Sequence, residues 1–266
     1  MAFSIATINV NGIRAAVRRG MLGWLEANQP DLIAIQEVRA PSGMIESLLG
    51  DGWHVAHDES SVKGRAGVAI ASRTPLVSSA AAVGDDRFLG SGRWIEAAID
   101  TPDGRGLTAV STYVHTGQAD DPARMEEKHA FLSAGVQRLA DLAATGRHVL
   151  AMGDLNVAHR QVDIKNWKGN VGKAGYLPEE QAHLDRLFDG HGFTDLGRHF
   201  GGDGPGPYTW WSWRGKAYDN DAGWRIDYQI SSPDLTALAK DAVVHRAPTY
   251  AERWSDHAPL VVTFDL

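Results

Sequence analysis

The 266-residue sequence contains no cysteine. This absence excludes disulfide bonds, thiolate zinc sites, iron–sulfur clusters and a cysteine nucleophile, so a bound metal must use oxygen or imidazole ligands. The chain also lacks a basic leader and any long apolar run, from which we expect neither a signal peptide nor a membrane span. A chain without such signals or disulfides is expected in the cytoplasm.

A surplus of positive charge is missing as well. Lys and Arg number 26 against 33 Asp and Glu, which gives a formal net charge of −7. Proteins that bind nucleic acids usually carry a basic footprint, so a DNA-binding function requires the basic residues to lie on one face. Repeats and low-complexity tracts are absent too, and a hydrophobic fraction of 43% predicts a globular chain with a single domain over 1–266.

Short apolar runs bounded by Gly, Pro, Asp and Asn recur along the chain, and several are separated by segments with helical spacing. This alternation predicts an α/β protein, and the roughly ten strand candidates favour two sheets over one. Helices are expected after Gly12, from Pro122 to about Gly146 and near Pro178. The strand candidates are 3–10, 32–36, 53–56, 67–71, 94–99, 107–114, 149–152, 208–213, 226–230 and 260–264.

Polar side chains stand where these apolar runs end. Layered α/β proteins gather their active sites at strand ends, which makes this set a candidate site. Each residue alone has a structural alternative, because Asp and Asn also cap helices and form turns. The set comprises Asn9, Asn11, Glu37, Tyr113, His115, Asp154, Asn156, Asp227, Asp256 and His257.

Glu37 follows the apolar run 33–36, where a buried carboxylate needs a cation or a hydrogen-bond donor. A hard divalent ion with oxygen ligands and several waters fits this need, which indicates Mg²⁺, with Mn²⁺ as a substitute. The alternative is an ion pair with Arg39 or with a distant arginine.

Mg²⁺ suits phosphate chemistry, and the other polar residues supply what hydrolysis of a phosphodiester needs. Asp154 can act on a water, while Asn156 and His257 can donate to phosphoryl oxygens. Glu37 can hold the metal that neutralises the leaving oxygen. Asp227 is then free to orient His257, since a carboxylate behind an imidazole fixes its tautomer and favours its protonated form.

Taken together, the chain resembles the exonuclease III family of apurinic/apyrimidinic endonucleases, within the endonuclease, exonuclease and phosphatase superfamily. The resemblance covers nearly the whole chain and rests on six motifs in order. They are Ile8-Asn9-Val10-Asn11-Gly12, Ile35-Gln36-Glu37, Thr112-Tyr113-Val114, Gly153-Asp154-Leu155-Asn156-Val157-Ala158-His159, Trp224-Arg225-Ile226-Asp227-Tyr228 and Ser255-Asp256-His257-Ala258-Pro259.

The resemblance implies a four-layered α/β sandwich, with two mixed β-sheets flanked by helices, and Mg²⁺-dependent incision of DNA 5′ to an abasic site. It also implies a role for each matched residue. Glu37 is the metal ligand, with Asn11 and Asp256 in or beside the metal site. The catalytic set comprises Tyr113, near the scissile phosphate, Asp154 with its companion Asn156, and the pair Asp227 and His257. Asn9 lies outside this set as a further hydrogen-bonding companion of Asp154 on the phosphate side.

Two tryptophans and a basic segment bear on the substrate. Trp210 and Trp224 resemble positions that line the family's pocket for a flipped, base-free sugar, although aromatic residues of this cluster also suit core packing. The segment 160–173 carries four basic residues against Asp163 alone, which indicates a phosphate track or else a solvated loop. These basic residues are Arg160, Lys165, Lys168 and Lys173.

The sequence departs from the family pattern at three positions. His115 and Thr116 stand where relatives often have Pro and an amide residue, so contacts beside Tyr113 are expected to differ. Arg39 replaces a Lys that often follows the metal-binding glutamate, so the support of Glu37 is expected to differ as well.

We therefore predict a DNA repair nuclease that acts in base excision repair, with 3′-to-5′ exonuclease and 3′-phosphatase or phosphodiesterase activity. Its expected partner is duplex DNA with abasic sites or 3′-blocked ends, without an obligate protein partner. Two alternatives remain open: a superfamily phosphatase that acts on inositol or lipid phosphates, and a catalytically silent DNA-binding or adaptor protein.

Overall fold

The computed structural model describes residues 2–266 and places their strands in two six-stranded β-sheets. In spatial order, the first sheet consists of β11 (Ala239–Val244), β12 (Leu260–Asp265), β1 (Ala2–Asn9), β2 (Leu32–Gln36), β4 (Val68–Ser72) and β3 (His54–Asp58). The second sheet consists of β5 (Leu76–Ala80), β6 (Trp94–Ile99), β7 (Leu107–Tyr113), β8 (His148–Asp154), β10 (Asp227–Ser231) and β9 (Thr194–Asp195). Both sheets are mixed, because β1 with β2 and β7 with β8 are parallel, whereas the other neighbours are antiparallel.

Seven α-helices accompany the sheets in residues 2–266. They are α1 (Ile13–Arg18), α2 (Met21–Asn28), α3 (Met44–Leu49), α4 (Pro122–Ala143), α5 (Pro178–Asp185), α6 (Leu196–Gly201) and α7 (Pro233–Thr236). The helices α1, α2 and α3 pack on the outer face of the first sheet, and α4 and α5 pack on the outer face of the second. A third apolar cluster fills the space between the sheets.

Strand β8 shows why the layers form. All seven of its residues are buried, since its two faces are both covered. Val149 and Ala151 belong to the cluster under α4, whereas Leu150 and Met152 belong to the cluster between the sheets. This alternation follows from the two-residue period of a strand. The expected four-layered α/β sandwich is therefore confirmed.

Two expectations about local structure are wrong. The segment 208–213 is not a strand. Within it only Trp210 forms isolated β-bridges, one to Trp224 and one to His257, which lie just before strands β10 and β12. The helix expected after Gly12 is two helices, which break at Gly20 with φ +112°. The sequence analysis did not predict strands β5 and β11, because both are largely exposed edge strands without an apolar run.

Across residues 2–266, every helix is too short or too polar to cross a membrane.

A buried charge network fastens the segment 160–173 to the second sheet. Asp163 is fully buried, and its Oδ1 accepts a hydrogen bond from Arg225 Nε at 2.7 Å and another from Arg198 Nη2. Arg225 Nη1 also pairs with Asp195 Oδ2 at 2.8 Å. The charge of Asp163 is thus neutralised inside the protein and does not offset the basic residues of its segment.

We expect Asp163→Asn to lower the free energy of unfolding by about 3–5 kcal/mol, because it leaves buried guanidinium groups without their partner. Urea denaturation at neutral pH measures this loss. The control is Arg124→Gln, which removes an exposed ion pair with Asp121 and should cost no more than about 1 kcal/mol. Equal stability losses in the two variants would contradict the buried network.

Candidate active site

Strand register brings the predicted residues to one end of both sheets. Strands β1 and β2 are parallel with Asn9 opposite Gln36, so Asn11 and Glu37 follow at the same edge. Strands β7 and β8 are parallel as well, with Tyr113 opposite Asp154.

Two antiparallel strands complete the convergence. Strand β10 begins at Asp227, directly opposite Asp154. Strand β12 begins with Leu260 opposite Thr7 of β1, so His257, just before it, comes to the same end. The strand ends of the two sheets therefore meet around one space.

That space is a cleft with a volume of about 470 Å³. The predicted residues that line it are Asn11, Glu37, Tyr113, Asp154, Asn156, Lys173, Trp210, Trp224, Asp256 and His257. Asn9 and Asp227 lie buried behind this lining, each 1% exposed. Arg160, Lys165 and Lys168 are exposed and do not line the cleft.

Asn9 bridges the two carboxylates that face each other across the sheets. Its Nδ2 donates to Glu37 Oε1 at 3.0 Å and to Asp154 Oδ2 at 2.9 Å. Its Oδ1 accepts the backbone N–H of Asn11 at 3.0 Å. The amide is a neutral donor, so it holds both carboxylates in place without neutralising either of them.

Asp154 and Asn156 lie on the turn that ends β8. Asn156 donates its backbone N–H to Asp154 Oδ1 at 2.9 Å, and its side-chain Nδ2 donates to the carbonyl of Val114 at 2.8 Å. Burial raises the pKa of Asp154 to about 8, and the negative charges of Asp227 and Glu37 add to the effect, while His257 opposes it.

Asp227 orients the imidazole of His257 from behind the cleft. The distance from His257 Nδ1 to Asp227 Oδ2 is 2.8 Å, and His257 Nε2 lies 3.8 Å from Asp154 Oδ2. Burial opposes the charged imidazole, but the nearby carboxylates, Asp227 first, outweigh it and raise the pKa of His257 to about 10. His257 is therefore a cation at neutral pH, with its Nε2 proton available to the cleft.

The acidic cluster fits a divalent cation. Glu37, Asp154 and His257 each place one atom within 4.8 Å of the others. Because His257 is protonated, the two carboxylates are the groups of this cluster that could bind the cation. Arg39 contacts Glu37 Oε2, so the alternative expected for Glu37, an ion pair, is present here. The Arg39 side chain is 40% exposed and lines the cleft beside Glu37.

Asn11 and Asp256 form a neighbouring pair on the same rim. Asn11 Nδ2 donates to Asp256 Oδ1 at 2.9 Å, and Trp210 Nε1 donates to Asp256 Oδ2 at 3.1 Å. Asp256 therefore links the cation-binding side of the cleft to the tryptophan side.

Tyr113 lines the cleft, and Arg93 packs against it. Burial and the charges of Glu37 and Asp154 raise the pKa of Tyr113 strongly, so its hydroxyl stays protonated. The guanidinium of Arg93 lies 5.1 Å from the centre of the Tyr113 ring, and its Nη1 donates to the Tyr113 carbonyl at 3.3 Å. Sequence reasoning missed Arg93, which carries no motif and precedes an apolar strand.

Trp210 and Trp224 form one wall of the cleft with their rings edge to face, 6.3 Å apart at an angle of 86°. The backbone N–H of Trp210 donates to the Trp224 carbonyl at 2.9 Å, and the backbone N–H of Trp224 donates to the Trp210 carbonyl, also at 2.9 Å. Core packing was the alternative considered for this aromatic cluster, and it applies to Trp211. This residue is buried, and its Nε1 donates to Asp221 Oδ1 at 2.9 Å.

The departures from the expected pattern have structural consequences. Thr116 lines the cleft, and its Oγ1 donates to Asn156 Oδ1 at 3.3 Å. His115 points elsewhere, with its Nε2 3.9 Å from Glu127 Oε2. Asn170 also lines the cleft beside Lys173.

Comparison with known proteins decides the family. Residues 6–257 match the endonuclease/exonuclease/phosphatase family. The chain belongs to this family. The superfamily resemblance expected from the six motifs is thereby confirmed.

Individual family members support a nuclease. An exodeoxyribonuclease of Bacillus subtilis is 30% identical over 97% of this chain and 98% of its own length. An AP endonuclease from Archaeoglobus fulgidus superposes with a TM-score of 0.89 at 28% identity, over 99% of this chain and 100% of that one.

The 3′-5′ exonuclease NExo from Neisseria meningitidis superposes with a TM-score of 0.86 at 27% identity and equal coverage. A further NExo structure, described as a 3′ phosphatase bound to a product DNA hairpin, gives a TM-score of 0.85. These family members are DNA-processing hydrolases, and they support the assignment of this chain as a DNA repair nuclease.

We expect Mg²⁺ to raise the melting temperature, with an affinity that increases with pH up to about 8, because the cation competes with the proton on Asp154. Thermal shift titrations at several pH values measure this. The response should be lost in Glu37→Gln and kept in Glu179→Gln, which changes an exposed glutamate. Equal responses in the two variants would contradict the site.

Proposed function

We propose that this protein hydrolyses the phosphodiester bond 5′ to an abasic site in duplex DNA. It also removes nucleotides from 3′ ends and cleans blocked 3′ termini as a phosphatase or phosphodiesterase. The observation that carries the proposal is one cleft that combines a buried carboxylate–imidazole set with a wall of two tryptophans.

Mg²⁺ is the proposed metal, with Mn²⁺ as a substitute, since the available ligands are carboxylate and amide oxygens. Glu37 would hold it, with Asn11 and Asp256 beside it. The bound ion supplies positive charge for the leaving oxygen.

The chain's own residues perform the remaining tasks. Asp154 orients the attacking water, held in place by Asn9 and Asn156. In its ionised form, which a bound cation would favour over the protonated form, it accepts the proton of that water. The imidazolium of His257, fixed by Asp227, donates to a phosphoryl oxygen as charge develops there. The protonated Tyr113 hydroxyl is a further donor in the cleft.

Damage specificity is assigned to the wall of Trp210 and Trp224. A base-free deoxyribose flipped from the duplex fits against these rings, whereas a nucleotide with its base is excluded by shape. Outside the cleft, Lys173 and the exposed Arg160, Lys165 and Lys168 would contact the phosphate backbone. Because Asp163 is neutralised internally, this segment presents a positive surface despite the net negative charge of the chain.

The deciding experiment is incision of a 5′-labelled duplex with one central abasic analogue, with Mg²⁺ and with EDTA. An intact duplex with a recessed 3′ end is run beside it. We expect a single metal-dependent cut 5′ to the lesion. A 3′ ladder on the second substrate without any cut in the first would refute the endonuclease and leave an exonuclease.

Absence of cleavage of both DNA substrates would favour one of the two alternatives. Turnover of phosphorylated inositols would identify a superfamily phosphatase. Binding of abasic duplex without turnover of any phosphodiester would identify a silent DNA-binding relative. The complete polar set in the cleft and the two tryptophans weigh against both.

We expect Glu37→Ala, Asp154→Asn and His257→Ala each to lower kcat by about 10² or more, because each removes an electrostatic or acid–base contribution to the transition state. Steady-state incision kinetics measure the loss, and circular dichroism checks the fold. His54→Ala, at an exposed histidine, should leave the rate unchanged. Near-normal rates in all three active-site variants would refute the mechanism.

We expect Trp224→Ala to lower the ratio of abasic to intact-duplex cleavage, because it opens the wall that excludes a base. Competition between the two substrates in one reaction measures this ratio. Trp53→Ala is the matched control, since Trp53 stacks on Arg73 and does not line the cleft. An unchanged ratio in Trp224→Ala would count against the pocket.

A further inference from the structure

Lys128 of α4 is a lysine whose side chain is completely buried, which is rare unless the charge is fully compensated. Its Nζ donates to Glu180 Oε1, to the carbonyl of Thr116 at 2.9 Å and to the carbonyl of Asn156 at 2.9 Å. An ammonium group has three protons, so all of its donors are used.

Glu180 of α5 uses its second oxygen on another segment. Its Oε2 accepts the backbone N–H of Gly175 at 2.7 Å and that of Leu177 at 3.0 Å. The Lys128–Glu180 pair therefore holds backbone groups of three residues that line the cleft, namely Thr116, Asn156 and Gly175. These residues belong to three different loops.

The held backbone is unusual in two places. Asn156 has φ +48°, in the left-handed region that disfavours residues other than glycine. Gly175 has φ +86°, and a Cβ there would lie 3.0 Å from the Asn156 carbonyl oxygen and 3.3 Å from the Trp224 ring. The loops thus approach each other too closely for a side chain, and the buried pair fixes them at that distance.

We infer that Lys128 and Glu180 are positioning residues, which set the Asn156 amide and the Trp224 side of the cleft for phosphodiester hydrolysis. The inference rests on the proposed function. Neither residue touches the cleft itself; both act through the backbone of loops that do.

A second ion pair on α4 provides a matched control. Arg138 donates from Nε and Nη2 to the two carboxylate oxygens of Glu96 at 2.7 Å each. This pair also ties α4 to the second sheet and is partly buried, but neither residue contacts a cleft loop.

The test compares two neutralised pairs, Lys128→Met/Glu180→Gln and Arg138→Gln/Glu96→Gln. Neutralising both partners avoids an unpaired buried charge, and the glutamine oxygen still accepts from Gly175 and Leu177. Incision kinetics are measured well below the melting temperature of each protein. Amide hydrogen exchange is measured over 114–117, 155–158 and 174–177, a readout that does not depend on the substrate.

For the Lys128 pair we expect faster exchange in these three loops and a kcat lowered about tenfold or more, with KM little changed. The Arg138 pair should lose melting temperature but keep the kcat and the loop protection. Unchanged exchange in the Lys128 variant, or equal kcat losses in the two variants, would overturn the inference. A wild-type protein that does not cut abasic DNA would refute the proposed function instead, and the exchange comparison would still decide the positioning role.

Discussion

The bridge that Asn9 makes between Glu37 and Asp154 is the contact on which the site depends. The two carboxylates come from different sheets, and their like charges repel each other at the strand ends. The neutral amide donates to both, at 3.0 and 2.9 Å, and so keeps them close without adding a positive charge. Burial raises the pKa of Asp154, and the charges of Asp227 and Glu37 add to this effect, so a cation beside these carboxylates would be favourable.

Two buried charges that hold structure are paired with an opposite charge: Asp163 with Arg198 and Arg225, and Lys128 with Glu180. Around His257 the pairing is incomplete, because Asp154, Asp227 and Asp256 share one imidazolium. The charged groups that stabilise the loops are therefore distinct from those available for catalysis in the cleft.

The loops around the cleft are held by these paired charges together with isolated β-bridges and backbone hydrogen bonds. The basic segment 160–173 is anchored through Asp163. The loops that carry Thr116, Asn156 and Gly175 are anchored through the Lys128–Glu180 pair. Trp210 lies on a segment that was expected to be a strand but makes only isolated bridges. A cleft assembled in this way can be preorganised although irregular loops form most of its wall.

The sequence alone determined the α/β layers, the long helix from Pro122 and the membership of the strand-end residues in one site, because apolar periodicity and ordered motifs are local signals. It could not place Arg93 beside Tyr113 or Lys128 against Asn156, since each contact depends on how separate elements pack. The edge strands β5 and β11 were missed for a related reason: exposed strands carry little apolar pattern. Only the tertiary structure decided which charged groups are paired in the interior and which face the cleft. The reason is that burial and distance determine electrostatic interactions, and neither can be derived from the amino-acid sequence alone.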